Sequence, residues 1–266
     1  MHKIAFFDID GTLTSDIDGT IPASVAPSVR QAQKNGHFMF INTGRCFSNL
    51  PKEILDIGFD GYICGCGTDI FYNGKELLHI SQDHKMVLEL LKQARKTNVD
   101  ILFEARDELF FDNTRPLTHP RAIRHRQRLN EDGYKMRTDL NSADCICDKF
   151  VVWYSSPDKI NEFRKLSDKY FECIDRGGMF CEFVPSGYSK ATGIQYLLDN
   201  LNINLNDSYA FGDSNNDLAM FDFVPNSIAM GNTLPEELKD RVSYITARSS
   251  EDGIQKALKH FGFLDN

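Results

Sequence analysis

The stretch KIAFFDIDGTLTSDIDGT (residues 3–20) decides the fold, because an apolar run within it stops abruptly at an acid. The run KIAFFD (3–8) is typical of a buried strand. In open parallel sheets, ligands bind beyond the carboxyl ends of the strands, so Asp8 can project into such a site. Asp10 follows two residues later, and Gly11 lets the chain turn away sharply. This pattern predicts a strand that carries chemistry at its carboxyl end.

The pentapeptide DIDGT occurs twice, at 8–12 and at 16–20. No apolar run precedes the second copy, and Asp18-Gly19 is typical of a tight hairpin turn. We expect the first copy to carry the chemistry and the second to form a solvated flap beside it. A minor gating role for Asp16 or Asp18 stays open.

Downstream of the first strand, apolar runs and helical periodicity alternate. The order strand–helix–strand–helix–strand is the signature of a parallel sheet with helices on both faces. The predicted helices are 24–35, about 47–57, 189–201, 215–223, 235–240 and 250–261. The further predicted strands are 37–43, 62–65, 208–213, 227–231 and 243–246. We therefore predict an α/β fold with a doubly wound, Rossmann-like parallel sheet.

The middle of the chain follows a different pattern. TDIFYNGKELLHI (68–80) alternates around Asn73-Gly74, which is a strong hairpin signal. Beyond it, antiparallel strands and helices are predicted at 82–97, 100–105, 107–112, 149–154, 157–168, 171–176 and 179–184. We predict a core domain of residues 1–81 and 187–266, interrupted by an α+β domain of residues 82–186.

Composition excludes several classes of function. The chain has 266 residues and a net charge of −8, so nonspecific binding to nucleic acid or to an anionic membrane is not expected. No apolar run approaches the roughly 20 residues that span a bilayer, and the N-terminus does not resemble a signal peptide. The seven cysteines are expected to be free thiols. We expect a cytoplasmic protein.

Polar groups also follow the other predicted core strands. Thr43-Gly44-Arg45 and GDSNND (212–217) each come directly after a strand, and Lys190 begins the helix that re-enters the core. All should meet in one crevice. Clustered carboxylates repel one another unless a hard cation lies among them, and oxygen ligands suit Mg²⁺, which keeps positions open for phosphate oxygens. Lys190 and the Thr43 hydroxyl could bind the same phosphate.

The nucleophile in this crevice is predicted to be a carboxylate. The sequence shows neither Ser-His-Asp spacing nor a nucleophile elbow. An aspartate that attacks phosphorus forms an aspartyl-phosphate. A second acid nearby can protonate the leaving alkoxide and later deprotonate water.

These motifs resemble those of the haloacid dehalogenase superfamily of phosphohydrolases. In chain order they are Asp8-Ile9-Asp10-Gly11-Thr12, Thr43, Lys190 and Gly212-Asp213-Ser214-Asn215-Asn216-Asp217. The insertion between Thr43 and Lys190 resembles the large α/β cap of the Cof-like members, called type IIB. The resemblance covers nearly the whole chain, and it implies a Rossmann-like core with a cap that selects a small phosphorylated metabolite.

The resemblance also implies a role for each motif residue. Asp8 would be the nucleophile and Asp10 the general acid and base. The implied Mg²⁺ ligands are the Asp8 carboxylate, the Asp10 backbone carbonyl and Asp213, with Asp217 supporting the metal through water. The implied phosphoryl-binding groups are Thr43, Lys190 and Asn216, with Gly44 and Arg45 as weaker candidates.

The leading functional hypothesis is a Mg²⁺-dependent phosphatase that acts on a small phosphate ester such as a sugar phosphate. One alternative is a phosphomutase that returns the phosphoryl group from Asp8. A signalling receiver domain also joins clustered Asp, Thr and Lys, but it is about half this length and has no insertion. A binding protein without turnover is a third alternative. The sequence does not indicate an oligomeric state.

Three features keep two interpretations each. RPLTHPRAIRHRQR (115–128) holds five Arg and two His without an acid, so it is either an anion-attracting surface or a solvated helix face balanced by acids elsewhere. Glu182 is either a substrate contact or a strand-edge charge. The loop CGCGTD (64–69) replaces the Asn-Gly-Ala of many relatives, so Cys66 or Asp69 either affects leaving-group fit or serves the turn.

Overall fold

The computed structural model describes residues 2–265, which divide into two compact units. The first unit holds residues 2–44, 51–78 and 189–265. The second unit holds Arg45–Leu50 and His79–Tyr188. The predicted boundaries fell at 81/82 and 186/187, and the predicted core included the segment Arg45–Leu50 that the structure groups with the second unit.

Regular elements occupy most of both units. The helices are α1 (Val25–Lys34), α2 (Lys52–Leu55), α3 (His84–Thr97), α4 (Pro120–Glu131), α5 (Pro157–Ser167), α6 (Lys190–Leu201), α7 (Leu218–Phe223) and α8 (Gly253–His260). The strands are β1 (Ile4–Phe7), β2 (Phe38–Asn42), β3 (Gly61–Cys64), β4 (Asp69–Tyr72), β5 (Lys75–His79), β6 (Asp100–Glu104), β7 (Leu109–Phe111), β8 (Lys149–Trp153), β9 (Phe171–Asp175), β10 (Phe180–Pro185), β11 (Ser208–Gly212), β12 (Asn226–Ala229) and β13 (Tyr244–Ile245).

The first unit is built on a sheet of order β13-β12-β11-β1-β2-β3-β4-β5. Strands β13 to β3 pair in parallel, and β4 runs antiparallel to β3. Phe7 lies opposite Phe211 on one side and Ile41 on the other. The residues that follow these three positions therefore leave neighbouring strands at one edge. The predicted fold class is confirmed.

The apolar run of β1 is continuous because both faces of the parallel sheet are covered. All four of its residues are fully buried. On one face, Phe6 packs with Phe40, Ile63 and residues of α6 such as Ile194. This burial fixes the strand end from which the first DIDGT emerges.

The second unit contains an antiparallel sheet of order β7-β6-β8-β10-β9. Successive residues of β8 point to opposite faces of the sheet, as in any strand, and pack into two separate hydrophobic clusters. Phe150 packs in a cluster with Phe163 of α5, and Val151 packs in another with Leu129 of α4. Both sheet faces therefore carry helices, and the inserted segment is α+β as predicted.

Two predicted α-helices differ in the structure. The region 47–57 is a short 3₁₀ turn, Phe47–Asn49, followed by the single turn α2. Pro51 separates them because it cannot donate the backbone hydrogen bond of a continuous helix. The predicted helix 235–240 is instead a 3₁₀ segment, Glu236–Arg241, since so short a stretch rarely offsets the cost of α-helix nucleation.

Cysteine state and helix length bear on the expectations drawn from composition. The seven cysteines are free thiols, and only Cys173 is partly exposed. Within residues 2–265, no helix has both the length and the apolar character needed to cross a bilayer.

Candidate active site

Asp8 leaves β1 as a buried carboxylate, with 3% of the residue exposed. Its backbone N–H donates to the carbonyl of Phe211 (3.0 Å), which extends the β1–β11 ladder by one residue. The turn after it, Ile9–Leu13, departs from helical backbone angles at Asp10 and at Gly11, where φ is +78°. A Cβ atom at Gly11 would lie 2.8 Å from Cγ of Asp213, so only glycine lets this turn approach that carboxylate.

Lys190 bridges two of the predicted carboxylates. Its Nζ donates to Oδ1 of Asp8 (2.5 Å) and to Oδ1 of Asp217 (2.6 Å), and 1% of the residue is exposed. Lys190 is the first residue of α6, whose start is fixed by a reciprocal capping box between Ser189 and Thr192. This cap anchors the backbone from which the ammonium group reaches the site.

Asp217 holds the loop that follows β11. Its Oδ2 accepts hydrogen bonds from the backbone N–H groups of Asp213 (2.8 Å) and Ser214 (3.1 Å), while its Oδ1 serves Lys190. Thr12 donates its hydroxyl to Oδ1 of Asp213 (3.1 Å). The first DIDGT and the GDSNND loop are therefore joined directly through Thr12 and Asp213.

The charges of Asp8, Asp213, Asp217 and Lys190 do not balance one another. Burial is the main cause that raises the pKa of Asp8 to about 7. The charge of Lys190 opposes this rise, and the charge of Asp217 adds to it. Burial and the neighbouring Asp8 and Asp217 charges raise the pKa of Asp213 to about 8. Burial would lower the pKa of Lys190, but the two carboxylates outweigh it and raise that pKa. One ammonium therefore does not compensate all the carboxylates.

A divalent cation fits this arrangement. Asp8, Asp213 and Asp217 each offer an oxygen, and these oxygens all lie within 4.8 Å of one another. Hard oxygen donors are those that Mg²⁺ prefers. Both oxygens of Asp217 already accept hydrogen bonds, so Asp8 and Asp213 are the better placed ligands. The group can hold a metal ion.

The other predicted site residues occupy different settings. Asp10 lies in the turn after Asp8 and is exposed. Thr43 follows β2, is 1% exposed, and donates its N–H to Ile63 (2.9 Å). Gly44 ends that segment of the first unit.

The Oδ1 of Asn216 accepts a hydrogen bond from the Ser214 hydroxyl (2.5 Å). Arg45 belongs to the second unit and donates to the Asn49 carbonyl (3.1 Å). Their phosphate-binding roles stay predictions.

Sequence reasoning missed two asparagines that support the site. Asn42 donates from Nδ2 to the Lys190 carbonyl (3.1 Å), and Asn232 donates to the Gly11 carbonyl (2.8 Å). Asn42 could have been noticed as a polar side chain at the end of a buried strand. Asn232 lies in a loop beyond β12 and carries no such signal.

The second DIDGT is a turn anchored on the first unit. The Asp16 carboxylate pairs with Arg248 and accepts from the backbone N–H of Ser250 (3.2 Å). Burial raises its pKa, but hydrogen bonds from Ser250, Arg248 and Ser249 outweigh that effect and lower it. Asp18 accepts from the backbone N–H of its neighbour Thr20 (3.1 Å). This copy serves its own turn and the 248–250 loop.

Comparison with known proteins agrees with this geometry. Residues 5–258 match the family model of haloacid dehalogenase-like hydrolases. One relative is YkrA of Bacillus subtilis (strain 168), which is named as a provisional phosphatase. It is 31% identical to this chain over 263 residues, covering 98% of each chain. An HMP-PP phosphatase of Yersinia enterocolitica (serotype O:8 / biotype 1B) is 25% identical over 273 residues, covering 98% of this chain and 96% of that protein.

A solved structure shows the same architecture. The chain superposes on the HAD subclass IIB sugar phosphatase BT4131 with a TM-score of 0.81 and 25% identity, over 98% of this chain and all of that one. The resemblance read from the DxDGT, Thr43, Lys190 and GDSNND motifs is therefore confirmed, as is the prediction of a hydrolase. The chain belongs to the haloacid dehalogenase-like hydrolase family.

Proposed function

We propose that the protein is a Mg²⁺-dependent phosphatase that forms an aspartyl-phosphate on Asp8. One observation carries the proposal. Lys190 holds Oδ1 of Asp8 at 2.5 Å, while Oδ2 of Asp8 accepts no hydrogen bond from any of residues 2–265. A carboxylate with one oxygen fixed and the other available, at the carboxyl end of a parallel strand, is a nucleophile in position.

The reaction proceeds in two displacements. Oδ2 of Asp8 forms a bond to phosphorus, and the bond from phosphorus to the leaving oxygen breaks. Asp10 gives its proton to that oxygen, then takes a proton from a water that attacks phosphorus and releases inorganic phosphate from Asp8. Asp10 has access to the leaving oxygen and to water because it is exposed and lies only two residues from the nucleophile.

Positive charge lets a carboxylate approach an anionic ester. The Lys190 ammonium supplies one such charge next to Oδ1 of Asp8. Thr43 would add a hydroxyl donor to the phosphoryl oxygens. A Mg²⁺ ion held by the Asp8 and Asp213 carboxylates and the Asp10 carbonyl would neutralise charge on the same oxygens. Asp217 keeps both Lys190 and the Asp213 loop in place.

The proposed substrate is a small phosphorylated metabolite, with sugar phosphates as the first class to screen. This choice rests on the names of the relatives, which include a sugar phosphatase and an HMP-PP phosphatase. The second unit is proposed to select the substrate. Glu182 is not a strand-edge charge, because β10 lies between β8 and β9, and the side chain pairs with Lys149. Its contact with substrate stays a proposal.

The repeated pentapeptide supplies a matched control for the test. Asp8→Asn and Asp10→Asn should each abolish hydrolysis of p-nitrophenyl phosphate in Mg²⁺, whereas Asp18→Asn should leave it unchanged. Near wild-type activity in Asp8→Asn would refute the nucleophile assignment. Release of inorganic phosphate without a bisphosphate intermediate would distinguish the phosphatase from a phosphomutase.

A further inference from the structure

Part of the basic segment 115–128 forms a cationic face on α4 in the second unit. Arg121, Arg124, His125 and Arg128 follow the 3–4–7 spacing of one helix face. Together they line a shallow cavity of about 220 Å³. The three arginines are exposed and His125 is half-buried, so the face is accessible to small solutes.

Most of this charge has no acidic partner. The side chain of Arg124 makes no hydrogen bond or ion pair with any residue from 2 to 265. Within residues 2–265, the Arg121 guanidinium donates hydrogen bonds to two backbone carbonyls, those of Gly177 (3.2 Å) and Gly178 (3.1 Å), and to no acid. Arg128 pairs with Asp132, at 3.8 Å. A helix face balanced by acids therefore does not describe Arg121 and Arg124.

The cavity is also partly preorganised. The Arg121 guanidinium lies 5.3 Å over the ring of Phe180, in addition to its two carbonyl partners, so its orientation is fixed before any ligand arrives. The His125 ring packs 5.6 Å from that of Trp153. Burial and the charges of Arg128 and Arg45 lower the pKa of His125 to about 4, so the ring is neutral at pH 7 and offers an N–H donor.

We propose that the α4 face binds the phosphate group of a small molecule. Guanidinium groups match phosphate oxygens in geometry and charge. The cavity is smaller than the roughly 300 Å³ at which drug-sized ligand sites begin, so it suits one phosphate group rather than a whole nucleotide. All four residues belong to the second unit, and the inference goes beyond the proposed phosphatase chemistry.

Titration of the whole protein with inorganic phosphate tests this site. The solution contains no Mg²⁺, and sodium chloride keeps the ionic strength constant. Two-dimensional NMR follows the backbone amides of 121–128 and the His125 ring, so binding at α4 is read separately from binding near Asp8. We expect saturable shifts of these signals.

Two variants of α4 and one control variant of α3 show whether the α4 arginines bind the phosphate. Arg124→Gln removes a side chain with no partner, so it should fold normally, keep the hydrolysis of p-nitrophenyl phosphate, and bind phosphate at least about tenfold more weakly at α4. Combined Arg124→Gln and Arg128→Gln should abolish the shifts. The control, Lys85→Gln with Lys92→Gln, removes two exposed charges from α3 in the same unit and should change nothing.

Three results would overturn the proposal. The first is that chloride alone produces the same shifts. The second is equal weakening in the α3 and α4 double variants, which would mean a general charge effect. The third is that a short oligonucleotide shifts the α4 signals while phosphate does not, which would assign the face to nucleic acid.

Discussion

Replacing Gly11 with alanine should damage the site through a single added methyl group. The new Cβ would lie closest to Oδ2 of Asp213 and 2.8 Å from its Cγ, and ordinary van der Waals contact begins at 3.4 Å, so the carboxyl group must retreat by at least about 0.6 Å. Gly11 also has φ +78°, a conformation that costs an L-residue about 1–2 kcal/mol. Displacement of a reacting or ligating group by this distance costs at least about tenfold in rate.

Gly19 provides the matched control, because it holds the same position in the second DIDGT. It has φ +72°, and a Cβ added there would meet nothing within 4 Å. Gly19→Ala should therefore lower the free energy of unfolding by the same 1–2 kcal/mol and leave catalysis intact. Gly11→Ala should lose more stability, at least about tenfold in kcat, and Mg²⁺ affinity.

The assay combines urea unfolding with p-nitrophenyl phosphate kinetics across a Mg²⁺ titration. The difference between the two variants isolates the clash with Asp213 from the backbone strain that they share. If Gly11→Ala matched Gly19→Ala in kcat and in Mg²⁺ midpoint, the turn would not position Asp213, and the reasoning would fail.

Four further predictions concern charge. Because the folded pKa values of Asp8 and Asp213 lie near 7 and 8, above the unfolded value near 4, the metal-free protein should lose stability as pH rises through that window. Mg²⁺ needs the charged carboxylates, so its binding should release protons, and its affinity should increase from about pH 6 to 8. Calorimetry in two buffers of different ionisation enthalpy measures this proton release, and a result of no release would contradict the prediction. Lys190→Met should lower the free energy of unfolding at pH 7 by about 3–5 kcal/mol, because it leaves buried carboxylates unpaired, and a urea midpoint equal to wild type would refute that pairing. Although burial raises the pKa of Asp112, hydrogen bonds from Arg95 and a neighbouring threonine lower it to about 2. Asp112→Asn should therefore cost up to about 2 kcal/mol at pH 7, and the deficit should fade as pH drops from about 4 towards 2; a deficit that is constant with pH would show that the ion pair contributes nothing.

Much of the structure of the first unit could be predicted from the sequence, because the patterns that indicate it are local. The buried run of β1 and the acid that ends it are adjacent in the chain, and parallel strands bring their carboxyl ends to one edge. Asp8, Lys190 and Asp213 could therefore be predicted to meet. Their partners depend on the exact loop paths, which is why the Thr12–Asp213 hydrogen bond and the Asn232 contact to Gly11 were not foreseen.

The second unit shows where such reasoning stops. Its strands were predicted, but their order and register were not. Only the register brings Glu104 opposite Lys149 across β6 and β8, and only the order places Glu182 beside them. The grouping of Arg45–Leu50 with this unit also depends on long-range packing, for which no local pattern exists.

Chemical trapping of the phosphorylated enzyme tests the central claim most directly. The enzyme is mixed with p-nitrophenyl phosphate and Mg²⁺, quenched in acid within one turnover, and reduced with borohydride, which converts an acyl phosphate of aspartate to homoserine. Peptide mapping should find homoserine at position 8 and at no other aspartate. Homoserine at a different aspartate, or its absence while a burst of nitrophenol is released, would contradict the role of Asp8.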